Sequence, residues 1–315
     1  MLIKPFVCTL TIVSFSFTAI AQNFSDQKIF TSDIDNFWIA YDSVRATTDS
    51  AKQVHFIQTL YVDKGTPGLK AFMKTRNYTP QLWVKLINRY PDFWQSVRPN
   101  TFTVKPMAEE IEKSIQQLKA LYPHLKDAKM YFTIGGLNSG GTTMADMVLI
   151  GTEIVTANAE TIAPNAWLAD VFKEQKAGHI IPFNIHEYVH TQQEMATPAN
   201  LLGAALREGA CDYIAELVLG KPWGTNYLQY GRAHEATLKK EFKAAMYGTD
   251  FSDWLYNGNN AKTVADLGYF MGYAICKSYY EHAADKTRAI KEIIELRYSD
   301  AGAVDKFLKA SRYYE

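Results

Sequence analysis

The chain has 315 residues, 47% of them hydrophobic, with 33 basic side chains balanced by 33 acidic ones. That length buries a sizeable core without covalent staples, and the neutral balance disfavours a binder of nucleic acid or another polyanion. The 19 tyrosines, 17 phenylalanines and 6 tryptophans exclude a disordered or linker-like chain, and a mean hydropathy of −0.19 argues against a polytopic membrane protein.

Residues 1–21 read as an export signal. Lys4 supplies a positive start, Phe6 to Ile20 is apolar over about 15 residues, and Ala19-Ile20-Ala21 is a small-residue cleavage pattern. The apolar run falls short of the roughly 20 residues a spanning helix needs. The expectation is a cleaved leader, a mature chain from Gln22, a periplasmic or extracellular location, and no integral membrane segment after cleavage. Only Cys211 and Cys276 then remain, too few for a disulfide framework. Buried free thiols are expected, with a bridge between the two as the alternative.

From Ser32 to about Leu121 the pattern is helical and punctuated by prolines such as Pro80, Pro91, Pro99 and Pro106. Thr79 and Asp92 are candidate N-caps, and Met107 to Leu121 spaces its apolar residues three and four apart, as an amphipathic helix does. Residues 22–125 are therefore taken as an N-terminal helical region, either preceding or continuous with a second region over 126–315. That second region opens on two strand-like segments, Lys129–Gly136 and Ala145–Val155, around a glycine-rich turn. The turn lacks the GKS/T ending of a phosphate loop. Helices are expected over 183–195, 201–219, 226–247, 263–283, 285–296 and 302–312, with 250–260 as a loop. The fold class is predominantly α with a small sheet.

The chemistry-bearing segment is His186-Glu187-Tyr188-Val189-His190. Residues four apart share a helix face, so both imidazoles can ligate one Zn²⁺ with Glu187 beside them as a base. A catalytic zinc wants a third protein ligand and one open position. Glu208, in Leu206-Arg207-Glu208-Gly209-Ala210-Cys211-Asp212, stands 18 residues after His190, enough for a turn and a returning helix. Asn200 is placed to cap that helix. Asp212, one turn after Glu208, can accept the second ring N–H of a ligand histidine. Glu216 is a fallback ligand. His179, just before the zinc helix, could line the cleft but reads more simply as an exposed loop histidine; His55, His124 and His282 have no partner pattern, and Glu194 reads as a solvated helix-end carboxylate.

His-Glu-x-x-His followed by Glu208-x-x-x-Asp212 resembles the gluzincin zinc metallopeptidases. Within them, the second segment and Asp266-Leu267-Gly268-Tyr269-Phe270-Met271-Gly272-Tyr273 are similar to predicted zinc-dependent proteases of exported bacterial proteins. The resemblance covers about 150 residues, from the strands near Met130 to the 263–283 helix. It implies a zincin-like helical core, zinc held by His186, His190 and Glu208, Asp212 as partner of a ligand histidine, and Glu187 as general base for a zinc-activated water attacking a peptide bond. It also implies that the strand pair holds extended peptide substrates. A hydrogen-bond donor for the developing oxyanion is expected from Tyr269 or Tyr273, with Tyr230 and His234 in reserve. Gln193 and Ala196 stand where a metzincin needs Gly and His, and the aminopeptidase G-x-M-E-N pattern is absent. The alternative function is a zinc-stabilised cell-envelope binding or assembly protein that uses the fold without turnover.

Overall fold

The computed structural model describes residues 27–175, 178–258 and 260–315; the expected leader lies outside them. Helix starts are set by short polar caps and prolines. After strand β1 (Ile29–Phe30) come α1 (Ser32–Arg45) and α2 (Ser50–Phe56), the latter running into a π-helical turn at Ile57–Val62. Then follow α3 (Pro67–Arg76), α4 (Pro80–Arg89), α5 (Pro91–Thr101) and α6 (Ala108–Leu121). Three of these open on proline at the first helical position, where the missing N–H costs nothing. Thr79 caps α4 by accepting the Leu82 N–H at 3.2 Å. Asp92 does not cap α5: Pro91 takes the first helical position, which leaves Asp92 inside the first turn, where its charge faces the helix dipole favourably.

The sheet has four strands in the order β1-β2-β4-β3, with β2 at Lys129–Thr133, β3 at Gly141–Met144 and β4 at Met147–Gly151. β2 lies parallel to both β1 and β4, and only β3 runs antiparallel. The two apolar segments therefore do not form a hairpin with each other. The glycine-rich stretch between them supplies a strand of its own, because Thr142 and Thr143 are β-branched and suit a pleated surface. A two-residue turn at Ala145-Asp146, with Ala145 at φ 53°, returns the chain into β4. Beyond Gly151 the chain turns helical as α7 (Thr152–Val155) instead of extending the strand.

The remaining helices are α8 (Ala166–Glu174), α9 (Ile180–His190), α10 (Leu201–Leu219), α11 (Asn226–Ala245), α12 (Leu267–His282), α13 (Lys286–Ile294) and α14 (Ala301–Ser311). α9 stops at His190, short of 195, and α12 begins at Leu267, later than 263. Among the described residues no helix is long and apolar enough to cross a membrane. Cys211 and Cys276 are free and buried. One apolar cluster runs from Ile29 to Tyr313 across the 125/126 boundary.

The connection from β2 to β3 is fastened by the N-terminal helices. The Tyr61 hydroxyl donates to the Ile134 carbonyl at 2.7 Å and accepts the Ile134 N–H at 2.9 Å. Trp83 Nε1 donates to the Gly135 carbonyl at 2.7 Å, and the Tyr78 hydroxyl to Asn138 at 2.6 Å. From the other side Glu153, fully buried, accepts the N–H groups of Gly135 at 2.8 Å and Leu137 at 3.3 Å. Residues 61–83 thus hold the approach to β3 in place.

α10 and α12 pack at backbone contact. A Cβ on Gly272 would collide with the Ala205 carbonyl, and one on Gly209 with the backbone of Gly272 and Tyr273. Gly272→Ala is expected to lower stability by about 1–3 kcal/mol, since rigid backbone must move; urea unfolding measures it. Glu153 gives a second expectation. Burial lifts its pKa to about 7, against the Gly135 and Leu137 N–H groups that favour the carboxylate. A raised acid contributes stability that is fully present below the ordinary 4.5 and is lost as pH rises through 7. The loss is about 3 kcal/mol. Glu153→Gln should flatten stability over that window, read from urea midpoints at several pH values.

Candidate metal centre

α9 is buried on almost every side; of its residues only Phe183 is partly exposed. Pro182 sits in its first turn, where the helix tolerates it. The helix lies against α6, α10 and β3. Four-residue spacing puts His186 and His190 on one face, with their Nε2 atoms 3.2 Å apart. α10 begins at Asn200, whose side chain accepts the Gly203 N–H at 2.9 Å, and presents Glu208, Cys211 and Asp212 to α9. Glu208 Oε2 lies 3.2 Å from His190 Nε2 and 3.6 Å from His186 Nε2.

Hydrogen-bond partners fix which ring nitrogens face inward. Asp212 Oδ1 lies 2.7 Å from His186 Nδ1. A carboxylate only accepts, so Nδ1 carries the proton and, in the neutral ring, Nε2 is left with its lone pair. For His190 the partner is Gln193 Oε1, at 2.7 Å from Nδ1. Gln193 is oriented by its own amide, which donates to the Arg207 carbonyl at 2.9 Å and to the Tyr298 hydroxyl at 3.1 Å. Tyr298 in turn donates to the Ile293 carbonyl at 2.6 Å. The amide nitrogen being spent on acceptors, Oε1 must take the His190 proton. Both imidazoles therefore turn Nε2 toward one point, and in the neutral rings each offers a lone pair there.

His186, His190 and Cys211 form a buried group whose ligand atoms lie within 4.8 Å of one another, able to hold a metal ion. The thiol, however, lies 3.4 Å from Nδ1 of His190, the nitrogen already facing Gln193. It also donates to the Arg207 carbonyl at 3.4 Å, and burial followed by the charges of Glu208 and Asp212 pushes it well above its ordinary pKa. The tighter convergence is of the two Nε2 atoms with Glu208 Oε2.

Glu187 flanks this group. A Cβ on Gly141 would come within 2.6 Å of its carboxylate, so β3 crosses directly against Glu187 and a larger residue there would displace that side chain. Burial raises the Glu187 pKa, partly opposed by the histidines. His186, Glu187, His190 and Glu208 are buried with 5–9% exposure, and Asp212 has none. Aromatic rings pack on the group: Tyr269 stacks on His186 at 6.1 Å and Trp223 meets it edge-on at 5.9 Å.

Other candidates lie elsewhere. The Tyr273 hydroxyl donates to Glu216 at 2.7 Å and meets Arg232, so the structure brings neither Tyr273 nor Glu216 to the histidines. His234 stacks on Tyr230 at an exposed kink of α11. His55, His124 and His282 are exposed, and Glu194 accepts the Ser299 N–H. Sequence reasoning missed Gln193, although its position three residues after His190 put it within reach. It also missed Tyr256, whose hydroxyl donates to Glu208 Oε1 at 2.8 Å from the 250–260 loop, with no local pattern to announce it.

No protein-family model, curated protein or solved structure matches this chain. The geometry carries its own expectation. Burial pulls His186 down, but the charge and hydrogen bond of Asp212, with Glu208 and Glu187, lift its pKa to about 10 in the metal-free centre. A metal must displace that proton. Uptake near pH 7 is expected to release about one proton per ion, and affinity should rise with pH until His186 titrates. Calorimetry in buffers of different ionisation enthalpy measures this.

Proposed function

We propose that this chain is an exported zinc metallopeptidase of gluzincin type, with His186, His190 and Glu208 as ligands and Glu187 as general base. The observation that carries the reading is the triangle of Nε2, Nε2 and Oε2 atoms with edges of 3.2, 3.2 and 3.6 Å. Bonds of about 2.0–2.1 Å at tetrahedral angles have ligand edges of about 3.3–3.4 Å. The N,N,O donor set suits zinc, which when bound would supply Lewis acidity and a lowered pKa for water.

The chain's own residues do the rest. Asp212 and Gln193 hold the two imidazoles in one tautomer and orientation, as partners of ligand histidines do. Glu187, kept more basic by burial, takes a proton on its carboxylate and returns it to the leaving amine. β3 is an edge strand, paired only with β4 and passing beside Glu187 at Gly141, whose carbonyl accepts the Ser139 hydroxyl at 2.9 Å. An extended peptide can add there by main-chain pairing and bring its carbonyl to the base. Tyr269, stacked on His186, is the candidate donor to the developing oxyanion. Export is supported by the charged start, apolar run and A-x-A pattern of residues 1–21.

Purified protein is expected to hold close to one zinc per chain and to cleave members of a peptide library. Glu187→Gln should keep the metal and lose roughly 10²–10⁴-fold in turnover; undiminished turnover removes Glu187 as the base. Glu208→Ala should lose the metal, whereas Glu216→Ala should keep it, because Glu216 is engaged by Tyr273 and Arg232. A metal-loaded wild type that cleaves nothing in the library favours the binding-protein alternative.

A further inference from the structure

Tyr256 stands in a left-handed backbone conformation, φ 57°, which side chains other than glycine avoid. It is 66% exposed, yet its hydroxyl reaches Glu208 Oε1. Its neighbours Leu255 and Asn257 are buried. The loop is pinned to the start of α12 at three points: the Asn257 N–H donates to Asp266 at 3.3 Å, the Asp266 N–H donates to Asn257 at 2.9 Å, and the Gly268 N–H donates to the Trp254 carbonyl at 2.8 Å. Burial of the ring does not account for the conformation, because most of the residue lies in solvent. What the pinned, strained loop secures is the contact of one phenol with one carboxylate oxygen, and strain of this kind collects at functional sites.

That contact divides the two oxygens of Glu208. Oε2 faces the Nε2 atoms of both histidines, and Oε1 is taken by Tyr256. A carboxylate can ligate through one oxygen or both, and a hydrogen bond to one leaves the other to the metal. We propose that Tyr256 is the positioning residue that restricts Glu208 to ligation through Oε2, so that the centre takes three protein atoms and keeps a fourth position open. The inference rests on His186, His190 and Glu208 being the ligands. Tyr256 thereby protects the vacancy on which any reaction at the metal depends, without itself touching a reacting atom.

The test uses metal-free full chain titrated with Co²⁺, whose visible absorption is intense in four-coordinate sites and weak when coordination rises. Wild type is expected to give the intense band. Tyr256→Phe keeps the ring and removes the hydroxyl; it should bind Co²⁺ roughly 10–100-fold more weakly, with a weakened band as the second oxygen of Glu208 enters. An unchanged band in Tyr256→Phe overturns the inference alone. A wild type that takes up no Co²⁺ overturns the metal centre and the inference together.

Discussion

The centre depends on burying five ionisable groups between two helices. His186, Glu187, His190, Glu208 and Asp212 leave water almost completely, and unpaired burial of even one such charge costs several kcal/mol. Pairing offsets the cost: His186 is held between Asp212 and Glu208, and His190 faces Glu208 and Gln193. α9 and α10 must therefore stay in register to within a hydrogen bond, and much of the surrounding structure serves that requirement. Gly209 and Gly272 let α12 support α10 at backbone distance. Tyr298, just before α14, reaches in to orient Gln193.

The same arrangement explains why metal chemistry fits this interior better than a structural ion network. A salt-bridge network needs no convergent lone pairs, whereas here both Nε2 atoms and one carboxylate oxygen point at a shared centre while every second ring nitrogen is committed outward. A bound cation would relieve the crowding of Glu187 and Glu208 and join two helices by bonds stronger than any apolar contact between them. With both cysteines free, no covalent link does that work among the described residues.

How much of this the sequence disclosed follows from how local each feature is. The histidine pair, the Asn200 cap and the Glu208–Asp212 spacing lie within single helices, where a period of 3.6 residues dictates who shares a face. β3 was hidden because Gly140 and Gly141, just ahead of Thr142 and Thr143, read as a turn; what makes it a strand is pairing with β4. Pairing is a tertiary fact. Tyr273 sits one helical turn from Tyr269 on the same face, yet that turn carries it about 6 Å along α12, so one ring reaches Glu216 and the other His186. Tyr256 comes from a loop 48 residues after Glu208 in sequence, and no periodicity links them.

The ties from Tyr61, Tyr78 and Trp83 to the chain ahead of β3 bear on how this protein can be divided. A fragment starting at residue 126 would keep every proposed ligand and lose all three anchors, together with β1. β2, whose interior residues are apolar and buried, would become a bare edge of the sheet, open to pairing with another copy. β1, only two residues long, is thus what stands between β2 and a free edge.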